Sequence, residues 1–412
     1  MARYKNPDHT LDKKEPEQVN EYDNKIEKIE VSNDTSTVQP DIEASKEQEA
    51  IPKEKTPSQN RYNENKRRKK RQGLTVGKCV ARFFIVMGIT LVAVIIFLYG
   101  VINKIYFGPS PSARNMLIST VMETSAAKFL ATSFFSDEEI ETFMSVNEPK
   151  QFEEEQDTSI IHIPSFPEAP IDKDNNKNPS ENTNENGIEI FTIKTDRYSG
   201  KMMIIKDPSR VFVGTAPQLG PGKGGTKLED MVKNYEAIGG VNGGRFYDQA
   251  GTGAGGEPIG FVVTNSNFVY GDDGQKYDLI GFDENDILVV GKMTGKEVKK
   301  LKIRDAVSFG PVLVLNGNGA KISGSGGGLN PRTAIGQRAD GAVLLLVIDG
   351  RQINSLGASY QDLIDIMLEY GAINAANLDG GSSTLMIYKN EILNNCASLY
   401  GPRKMPTAFL VK

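Results

Sequence analysis

Histidine and cysteine are almost absent from this 412-residue chain, with two of each. His9 lies in a charged N-terminal tail and His162 in a stretch rich in Pro, Asn and Glu, so the part of the chain able to fold is expected to carry no histidine. That excludes a Ser-His-Asp or Cys-His nucleophile and a zinc site with histidine ligands. Cys79 sits in an apolar run and Cys396 near the C-terminus, which excludes an intrachain disulfide framework. Acid and base chemistry is left to Asp, Glu, Lys, Tyr or an isolated Cys. The residues imply no metal and no other cofactor.

Long apolar runs are also scarce, and the one that exists organises the N-terminal half. Residues 1–65 are dominated by Lys, Glu, Asp, Asn and Gln, with apolar residues too scattered to bury a core, and read as disordered. The basic run Lys66–Arg71 would suit nucleic acid in isolation, but Phe83–Ile102 follows without a charged residue. At ~1.5 Å per residue that run crosses a ~30 Å hydrocarbon core as a helix. Basic residues before it place the N-terminus in the cytoplasm, with Tyr99 and Tyr106 at the far interface. A cleaved signal peptide would not begin so far along the chain. The expected organisation is a disordered cytoplasmic tail over 1–78, a transmembrane signal anchor over 79–106, an external stalk and linker over 107–187 and a globular domain over 188–412. Within the stalk, Ser112–Phe135 has helical apolar spacing, and Ser136 with Glu139 forms a capping box for a second helix through Met144. From Asn147 to Gly187 the composition predicts an extended linker.

Beyond Ile188 the pattern is of many short strands and few helices. Ile188–Ile193, Lys201–Lys206, Arg210–Gly214, Gly260–Thr264, Leu279–Phe282, Asp286–Val290, Ala306–Phe309 and Val312–Leu315 have strand character, as does the run Val343–Ile348. Leu228–Tyr235 reads as a short helix. Ser359–Gly371 is the clearest one, with Ser359 as cap, Leu363, Ile364, Met367 and Leu368 as apolar face and Gly371 as terminator. The expected fold class is α+β, a mixed β-sheet domain with few helices, preceded by one transmembrane helix and the disordered tail.

Asn374–Thr384, N-A-A-N-L-D-G-G-S-S-T, gathers the carboxylate of Asp379, the amides of Asn374 and Asn377, a glycine pair and three hydroxyls between the apolar runs Val343–Ile348 and Leu385–Tyr388. Gly380 and Gly381 allow backbone N–H groups to approach a ligand, and Ser382, Ser383 and Thr384 add small donors. Three more polar segments punctuate the domain: V-N-G-G-R-F-Y-D at Val241–Asp248, G-S-G-G-G-L-N-P-R-T-A-I-G at Gly324–Gly336 and Asp349-Gly350-Arg351. Each is explained singly by turn chemistry. The glycines of 324–330 predict a mobile rim leading into Arg332.

The blocks N-G-G-R-F-Y-D, P-R-T-A-I-G (Pro331–Gly336), L-L-L-V-I-D-G-R (Leu344–Arg351) and N-A-A-N-L-D-G-G-S-S-T, occurring in this order, resemble the motif series of the phosphodiester glycosidase family, whose bacterial members are often described as exopolysaccharide-related. Pro402–Val411 is similar to the family's closing strand. The resemblance covers about Ile188–Lys412 and says nothing about residues 1–187. Arg245 departs from it, standing where the family commonly has an aromatic residue. The resemblance implies a hydrolase that cleaves sugar 1-phosphodiesters through an oxocarbenium-like state, with charge growing on the departing phosphate. In that chemistry Arg332 is the expected phosphate clamp, Asp379 the nucleophile or base and Asp349 the second carboxylate. Gly380, Gly381, Ser382 and Ser383 complete an anion site, and Asn242 and Asn377 hold the sugar. Gly243, Gly244, Asp248, Thr333 and Arg351 complete the expected substrate-binding set. Which Asp attacks, and whether configuration is retained, stay open. The expected partners are a glycan or sugar-phosphate substrate and the cell membrane, with the domain outside, and no nucleic acid. Two rival readings keep the same layout: a phosphotransferase attaching glycopolymers to the wall, and a non-catalytic glycan-binding or assembly protein.

Overall fold

The computed structural model describes residues 76–124, 127–164, 184–247, 254–324, 326–398 and 401–412. The tail through Thr75, including Lys66–Arg71, the linker residues 165–183 and Asp248 lie outside the described residues.

Helix α1, Val76–Tyr106, extends the expected apolar span at both ends and is long and apolar enough to cross a membrane. Its apolar side chains stand exposed from Val80 to Val101, while Tyr106 at its end is buried. Ser110 accepts a hydrogen bond from the Ala113 amide and Pro111 opens the next helix, α2 (Pro111–Met122). Two further helices follow, α3 (Phe129–Thr132) and α4 (Asp137–Asn147), the last starting at the expected Ser136–Glu139 capping box. Tyr106, Ile118, Val121, Ala131 and Ile140 bury one another and hold these helices in a small core of their own. The continuous helix expected over Ser112–Phe135 is thus broken after Met122.

The remaining helices are α5 (Leu228–Asn234), α6 (Gly295–Lys300) and α7 (Tyr360–Glu369). The strands make an α+β unit in which each described ladder is antiparallel. The largest sheet has eight strands, in the order Asn184–Glu185, Ile188–Lys194, Ser199–Ile205, Val343–Ile348, Arg332–Arg338, Ala372–Leu378, Val312–Leu315, Asn318–Gly319. Val343–Ile348 lies near its middle, and both faces are covered. Leu344, Leu346 and Ile348 pack with Leu363, Ile364 and Met367 of α7, whereas Val343, Leu345 and Val347 meet residues of the two five-stranded sheets, among them Val241, Phe282 and Phe409. An unbroken apolar run is what a strand buried on both faces needs. The cap expected at Ser359 forms, its hydroxyl accepting from the Asp362 amide while the Asp362 carboxylate binds back to Ser359.

The segment after α4 is not a free linker over its described part. Pro149 bridges to Ile322, the Gln156 amide bonds both Leu288 O and Val290 N, and the His162 amide donates to Ala339 O. Polar residues that look like spacer in sequence here satisfy sheet-edge groups. Because Leu345 is fully buried between two layers, Leu345→Ala should cost roughly 2–5 kcal/mol, read as a lower denaturant midpoint at unchanged slope. A loss below about 1 kcal/mol would show that one face is not packed.

Candidate active site

Ala372–Leu378 pairs with Arg332–Arg338 on one side and Val312–Leu315 on the other, so Asn374 and Asn377 are buried sheet residues and not part of a loop between strands. The Asn374 Oδ1 accepts from the Asn316 amide at 3.1 Å and the Asn377 Nδ2 donates to Gly310 O at 3.0 Å. Asn374 Nδ2, Asn377 Oδ1 and Thr384 Oγ1 are buried without a protein partner among the described residues.

After Leu378 the chain turns through Asp379 and Gly380 into a single 3-10 turn, Gly381–Ser383. The backbone of Asp379 is held at both ends, its amide donating to Gly243 O at 3.1 Å and its carbonyl accepting from Asn242 Nδ2 at 2.6 Å. Asn242 Oδ1 in turn accepts from Thr333 Oγ1 at 2.8 Å and the Leu385 amide at 3.1 Å. Asn242 and Thr333 therefore hold the turn rather than face outward. Gly243 and Gly244 act by smallness: a Cβ on Gly243 would lie 2.6 Å from Thr407 Oγ1, and one on Gly244 2.8 Å from the Val307 Cβ.

Around the half-buried Asp379 carboxyl stand Ser383, the Gly380 amide, Arg403 and Arg245. Burial pushes its pKa up to about 6, against the opposing pull of Ser383, Arg403, Gly380 and Arg245. Arg403 Nη1 donates to Ser382 Oγ at 3.3 Å and its guanidinium stacks over Phe246. Arg245 stacks over Phe309 and sits near Asp278, whose pKa burial raises while Lys292 and Arg245 oppose the rise. Arg403 and Asp278 were not picked out from sequence; Arg403 lies in the quoted closing block, and nothing local marks Asp278.

The other expected carboxylate has a different place. Asp349 is 5% exposed and accepts from the Asn395 amide (2.8 Å), Asn394 Nδ2 (3.2 Å), Ser199 Oγ (3.3 Å) and Asn395 Nδ2 (3.4 Å). It lines a cavity of about 320 Å³ with Lys194, Lys201 and Asn354, a lining that does not include Asp379. Burial raises its pKa against these donors.

Arg332 is likewise enclosed. It is 4% exposed, with Nε donating to Ala358 O, Nη2 to Gly328 O and Nη1 paired with Glu123 at 2.9 Å, while Tyr360 lies under its plane. Tyr360 has its pKa raised to about 12, chiefly by burial. Arg351 adopts φ 59° and donates to Asn330 Oδ1 and Glu123 O. The Gly381 amide binds Pro331 O at 2.9 Å, so the two glycine amides expected to face an anion have internal partners. Nor is the glycine run 324–330 an open rim. Leu329 N donates to Thr120 Oγ1, Tyr360 N to Gly326 O, and Gly328 packs where a Cβ would meet Thr120 N at 2.4 Å. Its glycines serve close packing.

The turn, its carboxyl and its flanking arginines lie within residues 235–412, which match the family described as phosphodiester glycosidase. A curated relative, the SPbeta prophage-derived uncharacterized protein YomE of Bacillus subtilis (strain 168), is 41% identical over 66 residues, 16% of this chain and 10% of that protein. The match spans about a tenth of that relative's length. Among solved structures, the catalytic domain of zebrafish N-acetylglucosamine-1-phosphodiester alpha-N-acetylglucosaminidase, described as auto-inhibited by its pro-peptide, is 20% identical with a TM-score of 0.46, covering 56% of this chain and 85% of that one. A putative exported protein from Burkholderia pseudomallei K96243 is 18% identical with a TM-score of 0.40, over 52% and 74% of the two chains.

A carboxyl raised from 3.8 to about 6 binds its proton more tightly in the folded state. Its protonated form costs the fold nothing at low pH, and stability is lost as pH rises through that window. Wild type should therefore lose thermal stability relative to Asp379→Asn between about pH 4 and 6, with parallel curves outside it. Curves parallel throughout would place the raised carboxyl elsewhere.

Proposed function

We propose that the chain is a membrane-anchored hydrolase of glycosyl 1-phosphodiesters, with α1 as the anchor and the family domain outside the membrane. The observation that carries this reading is the Asp379 carboxyl, raised toward neutrality and flanked by Arg245 and Arg403. Above about pH 6 it is ionised and able to attack the anomeric carbon or take a proton from water. The bond between C1 and the phosphate oxygen then breaks, the electron pair leaves with the phosphate, and water supplies the hydroxyl of the released sugar. A phosphate monoester leaving group needs neutralising more than protonating. Guanidinium groups match its oxygens, and Arg245 and Arg403 take the clamp role in place of the enclosed Arg332. Arg245, unusual at its position, gives this chain a second cation where the family commonly has an aromatic ring.

One observation favours a non-catalytic glycan-holding protein instead: each Asp349 oxygen has two protein donors, which leaves Asp379 without a free carboxylate partner in Asp349. Release of reducing sugar from a panel of glycosyl phosphodiesters decides between them. Hydrolysis is expected, with kcat/KM rising through about pH 6. It should fall roughly 100-fold or more in Asp379→Asn, and roughly 100-fold in Arg245→Ala or Arg403→Ala. Binding without release in the wild type would favour the holding role. For the topology, protease added to protoplasts should remove the family domain while leaving the tail; full protection of the domain would reverse the orientation.

A further inference from the structure

The juxtamembrane helices touch the candidate site at one acidic residue. Glu123, the C-cap of α2, places its Oε2 2.9 Å from Arg332 Nη1 and 2.8 Å from Asn330 Nδ2, and its backbone carbonyl accepts from Arg351 Nη2 at 3.2 Å. Arg351 Nη2 also donates to Asn330 Oδ1 at 2.9 Å, which closes a ring of polar groups around the start of strand Arg332–Arg338. Between Asn330 and Arg332 lies Pro331, whose carbonyl accepts the Gly381 amide at 2.9 Å. Gly381 and its neighbours form the turn that presents the Gly380 amide and Ser383 to the Asp379 carboxyl and Ser382 to Arg403. A Cβ on Gly381 would lie 3.3 Å from Arg351 Nη2, so the second arginine also backs onto this turn.

The docking of α2 has the marks of permanent construction. Thr120 accepts from the Leu329 amide at 3.0 Å, and Gly328 permits backbone contact with Ser119 and Thr120 that no side chain would allow. At the other end of the glycine run, a Cβ on Gly324 would meet Asn147 Oδ1 at 2.5 Å. Arg332 is nearly inaccessible, and a guanidinium so enclosed needs a fixed counter-charge. Within the described residues Glu123 is the carboxylate paired with it, contributed from more than two hundred positions away.

We propose that Glu123 is a positioning residue of the active site: by fixing Arg332 and Asn330 it sets the Pro331 carbonyl that holds the Gly380–Ser383 turn against Asp379, so the juxtamembrane helices and the family domain build the site jointly. This rests on the hydrolase reading above. It makes α2 part of the machinery and not a removable cover, and it makes a fragment beginning at Ile188 an incomplete enzyme.

The test is a double-mutant cycle in the full-length protein in detergent, with Glu123→Gln, Arg332→Gln and the two combined, assayed on a glycosyl phosphodiester. Glu123→Gln should lower kcat about tenfold or more with KM changed by less than about threefold, and the double variant should be no worse than Arg332→Gln alone. Unchanged kcat, or losses that multiply, would overturn the proposal; increased kcat would make Glu123 a plug. A second reading needs no turnover: the pH window in which stability depends on Asp379, measured against Asp379→Asn in each background. Arg245 and Arg403 still face Asp379 in Glu123→Gln, but the donors on the turn slip, so the window should move upward. An unmoved window counts against positioning. If the wild type cleaves no phosphodiester, the hydrolase reading fails while this window still decides the role of Glu123. Should Glu123→Gln lose its cooperative unfolding transition, Glu123→Asp, which keeps the charge on a shorter stem, takes its place with the same two readings.

Discussion

A single carboxamide ties the layers of this molecule to the turn at Asp379. Asn242, at the end of strand Gly239–Asn242, donates to the Asp379 carbonyl and accepts from Thr333 and the Leu385 amide. The first contact reaches the turn, the second the eight-stranded sheet and the third the chain entering strand Met386–Tyr388. Buried hydrogen bonds of this kind are strong in their low-dielectric setting and costly to leave half-made, so the position of Asp379 is fixed by the packing of two sheets. Asn242 accordingly positions the Asp379 turn from within the buried sheet.

The same logic of enclosure separates the charged residues into two groups. Arg332 and Asp349 are surrounded by donors, acceptors or a counter-charge. Asp379, Arg245 and Arg403 form the other group, and their fields overlap at the carboxyl whose pKa is displaced. Displacement of a carboxyl into the working range, with cations close by, is what a general base or nucleophile at neutral pH requires. The cost is carried by stability, since the fold would prefer a neutral side chain there.

Local chemistry was legible in the sequence and remote pairing was not. The run Val343–Ile348, the Ser359 and Ser136 caps and the apolar span inside α1 follow from patterns a few residues long. Strand Ala372–Leu378 was hidden because its asparagines and alanines resemble loop composition; only the partners on both sides make it a strand. The surroundings of Arg332 were hidden for a related reason, since nothing near it in sequence shows that Glu123 arrives from α2. Gln156 looks like spacer in sequence because its partners, the Leu288 carbonyl that accepts from it and the Val290 amide that donates to it, lie more than 130 positions away.

The central claim is that the reacting bond lies at Asp379, between the arginines and away from the Asp349 cavity. A crystal structure of the Asp379→Asn protein, retaining α2–α4, with an uncleaved glycosyl phosphodiester tests it most directly. The account predicts the anomeric carbon roughly 3–3.5 Å from the residue 379 side chain, with phosphate oxygens on Arg245 and Arg403. A ligand whose phosphate sits on Lys194 and Lys201 in the Asp349 cavity, leaving residue 379 untouched, would contradict it.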